Sequence, residues 1–169
     1  MHGLEMGSHI DLADASRADA VIIGSGSRTR EVVADAALMA QLQLDPARQL
    51  LGAQCSGTLV LASLGLLGAV PACTDMTSKP WVQAAGVQVL HQPFYAEGNV
   101  ATAGGCLASQ YLACWIIARL QGMDAAASAM DYVAPVGEKD DYVARMQRNV
   151  APYLRKPPAN VPVLAQVAA

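Results

Sequence analysis

The chain has 169 residues, of which 53% are hydrophobic and 15% charged, and its formal net charge is −3. This composition excludes a disordered chain and predicts one globular domain over residues 1–154, followed by a Pro-rich tail over 155–169. The charge, with no basic stripe, argues against nucleic acid as a partner, and the apolar runs are too short for a membrane span. The four cysteines show no zinc-type spacing, and such an apolar core needs no disulfides, so we expect a cytoplasmic protein.

Apolar runs alternate with helical patterns along the chain. The predicted elements are, in order, a buried strand over 18–27, a helix over 29–44, a strand over 48–54, a helix over 56–67, a short strand over 68–74, a helix over 78–86, two strands around a turn within 87–105, and helices over 106–122, 124–133 and 138–154. This alternation predicts an α/β fold, an open and mostly parallel sheet with helices on both faces. Only one weak strand (about 4–12) precedes the first buried strand, so we expect a fold shortened at its N-terminus.

Cys55 lies where a predicted strand meets a predicted helix. Reactive groups gather at the carboxyl ends of parallel strands, and a helix start lowers the pKa of a thiol. The Ser56 N–H is placed to stabilise an oxyanion, and Gly57 leaves room for a tight turn. The pattern has the logic of a nucleophile elbow, whereas the simpler interpretation is an inert buried thiol.

The preceding strand ends in the turn Gly24-Ser25-Gly26, which we expect beside the elbow. The Gly26 N–H is then a second oxyanion donor. A phosphate-binding turn is less favoured, because a full G-x-G-x-x-G pattern needs glycine where the chain has Thr29. Just beyond the turn, Ser27 and Arg28 are candidate substrate-binding residues; solvated side chains at a helix start are the alternative.

The segment "LLGAQCSGTLVLASLGLLGAVPACT" resembles the elbow of the ThiJ/PfpI family, with its C-[ST]-G motif at 55–57 and its L-A-x-x-G-L-L helix at 61–67. The later "EGNVATAGG" resembles the hairpin of the same family. The resemblance implies a flavodoxin-like fold, commonly dimeric, with Cys55 as nucleophile and the Gly26 and Ser56 amides as oxyanion donors. It implies a small-molecule substrate and neither a metal nor an organic cofactor.

The sequence departs from the family pattern at three points, the mildest of which is Gly24-Ser25-Gly26 in place of a Gly-Gly turn. The acidic residue that normally hydrogen-bonds the cysteine has no counterpart here, and Asp75 stands where many relatives have histidine. We expect Asp75 to shuttle or orient a proton, although capping the next helix is an equal alternative. His91 could supply the missing base, but an ordinary strand-end histidine is the simpler interpretation. Cys106 opens a predicted helix and could share the effect of a helix start on the pKa of a thiol, but burial beside Gly104 and Gly105 is the simpler interpretation.

Two functions follow from these residues. The first is a cysteine-dependent hydrolase, hydratase or lyase acting on a small carbonyl, amide or isonitrile substrate. The alternative is a non-catalytic or redox-sensing homodimer, in which Cys55 is oxidised reversibly. The intact elbow favours the first function, and Asp75 in place of histidine favours the second.

Overall fold

A four-stranded sheet forms the centre of residues 7–154, the part of the chain that the computed structural model describes. The strands are β1 (Ala20–Ile23), β2 (Leu50–Gln54), β3 (Phe94–Glu97) and β4 (Val100–Ala103). Their order across the sheet is β1-β2-β4-β3. Strand β2 pairs in parallel with both β1 and β4, and β3 and β4 form an antiparallel hairpin. The predicted mostly parallel sheet is therefore confirmed. The predicted tail over 155–169 lies outside the described residues.

The helices cover both faces of this sheet. They are α1 (Thr29–Ala34), α2 (Ala36–Met39), α3 (Gly57–Ser63), α4 (Lys79–Ala84), α5 (Ser109–Gln121), α6 (Met123–Val133) and α7 (Lys139–Val150), with short 3-10 turns at Leu12–Arg17, Cys106–Ala108 and Ala151–Tyr153. Successive residues of a strand face opposite sides, so Leu50 belongs to the apolar cluster that includes residues of α5, α6 and α7, while Leu51 belongs to the cluster that includes residues of α3 and α4. Strand β2, buried on both faces, is consequently apolar up to Gln54.

Two predicted elements differ from the structure. The helix over 29–44 is interrupted at Asp35, whose carboxylate accepts hydrogen bonds from the Ala37 and Leu38 N–H groups and caps α2 instead of continuing α1. The strand over 68–74 is reduced to one parallel bridge between Ala72 and Val89. The next residue, Cys73, donates its N–H to the Thr102 side chain, so the ladder ends there.

A glycine marks the turn between the last two strands. The predicted turn between the last two strands is confirmed, and Gly98 occupies the left-handed region there with φ 59°. Of the weak strand predicted over about 4–12, residues 4–6 lie outside the described part, and residue 12 begins a 3-10 turn.

Among the described helices, none combines the length and the apolar character that a membrane crossing requires.

Candidate active site

The turn at Cys55, called the elbow below, joins a strand to a helix through a left-handed backbone. Within residues 7–154, Cys55 is the one non-glycine residue with a positive φ, 49°. It joins the carboxyl end of β2 to the start of α3. Its N–H donates to the Ala103 carbonyl at 2.8 Å, and its carbonyl accepts from the Thr74 hydroxyl at 2.8 Å. A left-handed L-residue costs about 1–2 kcal/mol, so these contacts hold a strained turn in place.

Gly57 allows the start of α3 to approach the end of β1. A Cβ atom at this position would lie 2.8 Å from the Gly24 carbonyl oxygen and closer still to that of Ile23. No other residue type fits without moving the backbone. The close approach brings the turn after β1 against the elbow, as the sequence predicted.

The Ser56 hydroxyl fastens that turn to the elbow. It accepts from the Gly26 N–H at 3.0 Å and lies 3.2 Å from the Ser25 hydroxyl and 2.9 Å from the Thr29 hydroxyl. The Ser56 N–H has no hydrogen-bond partner among the described residues, so no acceptor within them competes with an oxyanion for this donor. The Gly26 N–H, in contrast, donates to the hydroxyl, so an oxyanion would have to compete with it.

The Cys55 sulfur is nearly covered, since the residue is 3% exposed. Burial raises the pKa of this thiol, and the negative charge of Asp75 raises it further. Hydrogen bonds from the Gly105 backbone and the Gln54 side chain lower the pKa but do not outweigh burial. The lowered thiol pKa predicted from the helix start is therefore wrong in its net direction, because desolvation exceeds the effect of the donors.

Asp75 follows the short bridge and caps the turn that leads into α4. One carboxylate oxygen accepts hydrogen bonds from the Thr77 N–H at 2.9 Å and the Ser78 N–H at 3.0 Å. The charge of the same carboxylate also raises the pKa of the Cys55 thiol, although less than burial does. One side chain thus combines a cap with an electrostatic effect on the thiol.

A cleft of 410 Å³ adjoins the elbow. Three of its lining side chains are titratable, namely Asp75, Lys79 and His91. Its wall also includes Thr74 and Gly105, which both contact Cys55. The fold therefore brings His91, which is exposed, into the same cleft as Asp75.

A second cleft, of 430 Å³, shares Gly104 and Gly105 with the first and contains Cys106. Cys106 is exposed, so its predicted burial is wrong: it starts a 3-10 turn on the surface instead of facing the core. Cys73 and Cys114 are buried, and desolvation raises the pKa of Cys73 to about 12 and that of Cys114 to about 11.

The candidate substrate-binding residues Ser27 and Arg28 line a separate cleft of 440 Å³, which shares no lining residue with the two clefts above. The Arg28 guanidinium pairs with Glu31 at 2.6 Å, and this carboxylate raises the pKa of Arg28. Arg30 stacks over the Trp81 ring at 5.1 Å. Both cations are exposed, as solvated residues at a helix start are. Within residues 7–154, no three His, Cys, Asp or Glu side chains are grouped as a metal ion requires.

Sequence reasoning missed Gln54. Its amide nitrogen lies 3.1 Å from the Cys55 sulfur and 2.8 Å from the Gly105 carbonyl oxygen. The available signal was a long polar side chain at the last position of an otherwise apolar buried strand, directly before the thiol. Such a side chain needs a polar partner, and the elbow provides one.

Comparison with known proteins identifies the fold. No protein-family model and no curated protein matches the sequence. Among solved structures, the chain is similar to a ThiJ/PfpI family protein from Pseudomonas syringae, with a TM-score of 0.61, 21% identity and coverage of 83% of this chain and 64% of that chain. A variant of a DJ-1 superfamily protein from Salmonella typhimurium gives a TM-score of 0.60 at 22% identity, covering 72% of this chain and 68% of that one.

A two-domain protein from Anabaena variabilis, with DJ-1/ThiJ/PfpI-like and ferritin-like domains, gives a TM-score of 0.56 at 22% identity, covering 78% of this chain and 40% of that one. The predicted flavodoxin-like α/β fold of ThiJ/PfpI proteins is confirmed by these structures. The chain spans 64% of the length of the Pseudomonas syringae protein.

Proposed function

We propose that this chain is a ThiJ/PfpI-family enzyme in which Cys55 attacks an electrophilic carbon of a small carbonyl, amide or isonitrile substrate. The observation that carries the proposal is the left-handed backbone at Cys55, φ 49°, at the joint of β2 and α3. Strained non-glycine residues are rare and concentrate at functional sites. The adjoining cleft supports the proposal, because it gives a small molecule a place beside the elbow.

For a carbonyl substrate, the sulfur of Cys55 forms a bond to the carbon, and the π electrons of the C=O bond move to oxygen. The Ser56 N–H donates to that oxyanion. The Gly26 N–H, which here donates to the Ser56 hydroxyl, becomes a second oxyanion donor only after that hydrogen bond breaks. The thiol proton passes to the Asp75 carboxylate, which lines the cleft and acts on the sulfur electrostatically. Ser27 and Arg28, which line the separate 440 Å³ cleft, are the proposed substrate-binding residues.

The test is turnover of a panel of 2-oxoaldehydes, primary amides and isonitriles. We expect one class to be consumed by the wild-type protein, and Cys55→Ala to lose at least about a thousandfold in kcat/KM. Cys106→Ser, which removes an exposed thiol outside the elbow, is the matched control and retains the activity. Equal turnover by Cys55→Ala and the wild type would exclude Cys55 as the nucleophile.

A second candidate is a redox-sensing protein without turnover, which Asp75 in place of the family's histidine favours. The 3% exposure and the raised pKa of Cys55 oppose both candidates equally, because oxidation of a thiol, like nucleophilic attack, needs an accessible thiolate. In that case no substrate is consumed, and mass spectrometry after peroxide treatment finds Cys55 reversibly oxidised. The homodimer and the cytoplasmic location stay predictions. Sedimentation of the purified chain tests the first, since a homodimer doubles the 17.6 kDa mass.

A further inference from the structure

We propose that Gln54 is a positioning residue for the Cys55 thiol, in that its side-chain amide aims the sulfur and stabilises the thiolate. The amide nitrogen is within hydrogen-bond distance of two atoms, the Cys55 sulfur at 3.1 Å and the Gly105 carbonyl oxygen at 2.8 Å. The contact between Gln54 and the sulfur does not depend on the proposed function; only the catalytic use of the thiolate rests on it.

The Gly105 carbonyl determines which end of the amide meets the sulfur. An amide group has a donating nitrogen and an accepting oxygen, and the network decides their assignment. If the group were rotated, the Gln54 oxygen would face the Gly105 oxygen, and two acceptors repel. The nitrogen therefore points toward both the carbonyl and the sulfur. The amide oxygen is buried with no partner among the described residues, so it does not favour the opposite rotation.

An N–H donor at this position has a definite effect on the thiol. A hydrogen bond to the charged form stabilises it, and the Gln54 contact lowers the pKa of Cys55 against the larger effect of burial. The amide is neutral and takes up no proton, so it holds the thiolate without acting as the base. A carboxylate at the same position would instead add a second negative charge beside Asp75.

The same amide connects the sulfur to the cleft. Gly105 lines the 410 Å³ cleft, and its carbonyl holds Gln54, which holds the sulfur. The thiol is consequently fixed relative to the wall that a substrate would contact. Such fixation is what a reacting atom requires, because small misplacements cost large factors in rate.

The test measures the pH dependence of Cys55 alkylation by iodoacetamide, in a Cys106→Ser background and with peptide mapping. Gln54→Leu and Gln54→Met remove the donor, and we expect the pKa of Cys55 to rise by about one unit. The rate constant at pH 8 then falls about tenfold. Gln92→Leu is the matched control: its amide donates to the Phe94 carbonyl at 2.9 Å, and the pKa of Cys55 stays at the wild-type value.

Gln54→Glu extends the series. Its carboxylate lacks the N–H donor and adds a negative charge, so we expect the pKa of Cys55 to be higher in Gln54→Glu than in Gln54→Leu. Circular dichroism identifies the folded variants. If Gln54→Leu does not fold, the pKa of Cys55 is compared in Gln54→Met and Gln54→Glu instead. A wild-type pKa in the folded variants, or an equal shift in Gln92→Leu, overturns the proposal. The assay uses no substrate, so a protein without turnover would refute the enzyme and leave this result standing.

Discussion

The Asp75 carboxylate accepts two backbone hydrogen bonds and also acts on the Cys55 thiol, and two substitutions separate these roles. Asp75→Asn keeps an oxygen acceptor for the cap and removes the charge. Asp75→Ala removes both. The comparison therefore separates the capping role of Asp75 from the effect of its charge on the thiol.

We expect Asp75→Asn to retain the wild-type stability within about 0.5 kcal/mol, whereas Asp75→Ala loses about 1 kcal/mol, the usual cost of a lost cap. Both variants lower the pKa of Cys55, because Asp75 raises it in the wild type. Urea unfolding measures the stability, and alkylation against pH measures the pKa. A stability loss as large in Asp75→Asn as in Asp75→Ala would contradict the cap.

At the scale of elements, the elbow depends on how closely α3 approaches β1. Gly57→Ala introduces a Cβ atom 2.8 Å from the Gly24 carbonyl oxygen and nearer to that of Ile23, so the backbone must shift. We expect a loss of about 1–3 kcal/mol, the range for overpacked sites. Urea unfolding provides the measurement.

The matched control is Gly24→Ala, where a Cβ atom meets nothing within 4 Å and φ is not positive. This variant is expected within about 0.5 kcal/mol of the wild type or slightly more stable, because alanine restricts the unfolded chain. Equal losses in the two variants would show that contact with the backbone of β1 is not the cause.

At the scale of the whole molecule, folding buries two thiols, Cys73 and Cys114, that resist ionisation. Burial raises the pKa of Cys73 to about 12 and that of Cys114 to about 11. Above about pH 9 the unfolded chain loses these protons while the folded protein keeps them, so the unfolded state binds fewer protons and stability falls as pH rises. The fall ends for each thiol at its folded-state pKa.

We expect each of these thiols to contribute about 1.4 kcal/mol per pH unit to this fall between about pH 9 and 11. The double variant Cys73→Ala, Cys114→Ala shows a shallower slope of unfolding free energy against pH. Cys106→Ser, which changes an exposed thiol, leaves the slope as it is in the wild type. An unchanged slope in the double variant would contradict the raised pKa values.

Apart from the strand expected over 68–74, the sequence by itself determined the order of strands and helices along the chain and the joint at Cys55. Apolar periodicity and glycine are local signals, so β2, α3 and the turn at Gly98 could be located from neighbouring residues alone. Local signals also gave one wrong prediction. The apolar pattern over 29–44 is continuous and predicts one helix, but the Asp35 side chain caps a new helix, and this hydrogen bonding competes with continuation of the first.

Only the tertiary structure decided the chemistry around the sulfur. The net pKa direction of Cys55 depends on how much apolar material covers it, and its Gln54 contact depends on Gly105, 51 residues away in sequence. Likewise, the Gly26 N–H meets the Ser56 hydroxyl across 30 residues. Distances of a few ångströms between residues far apart in the chain are set by packing, and periodicity in one segment carries no information about them.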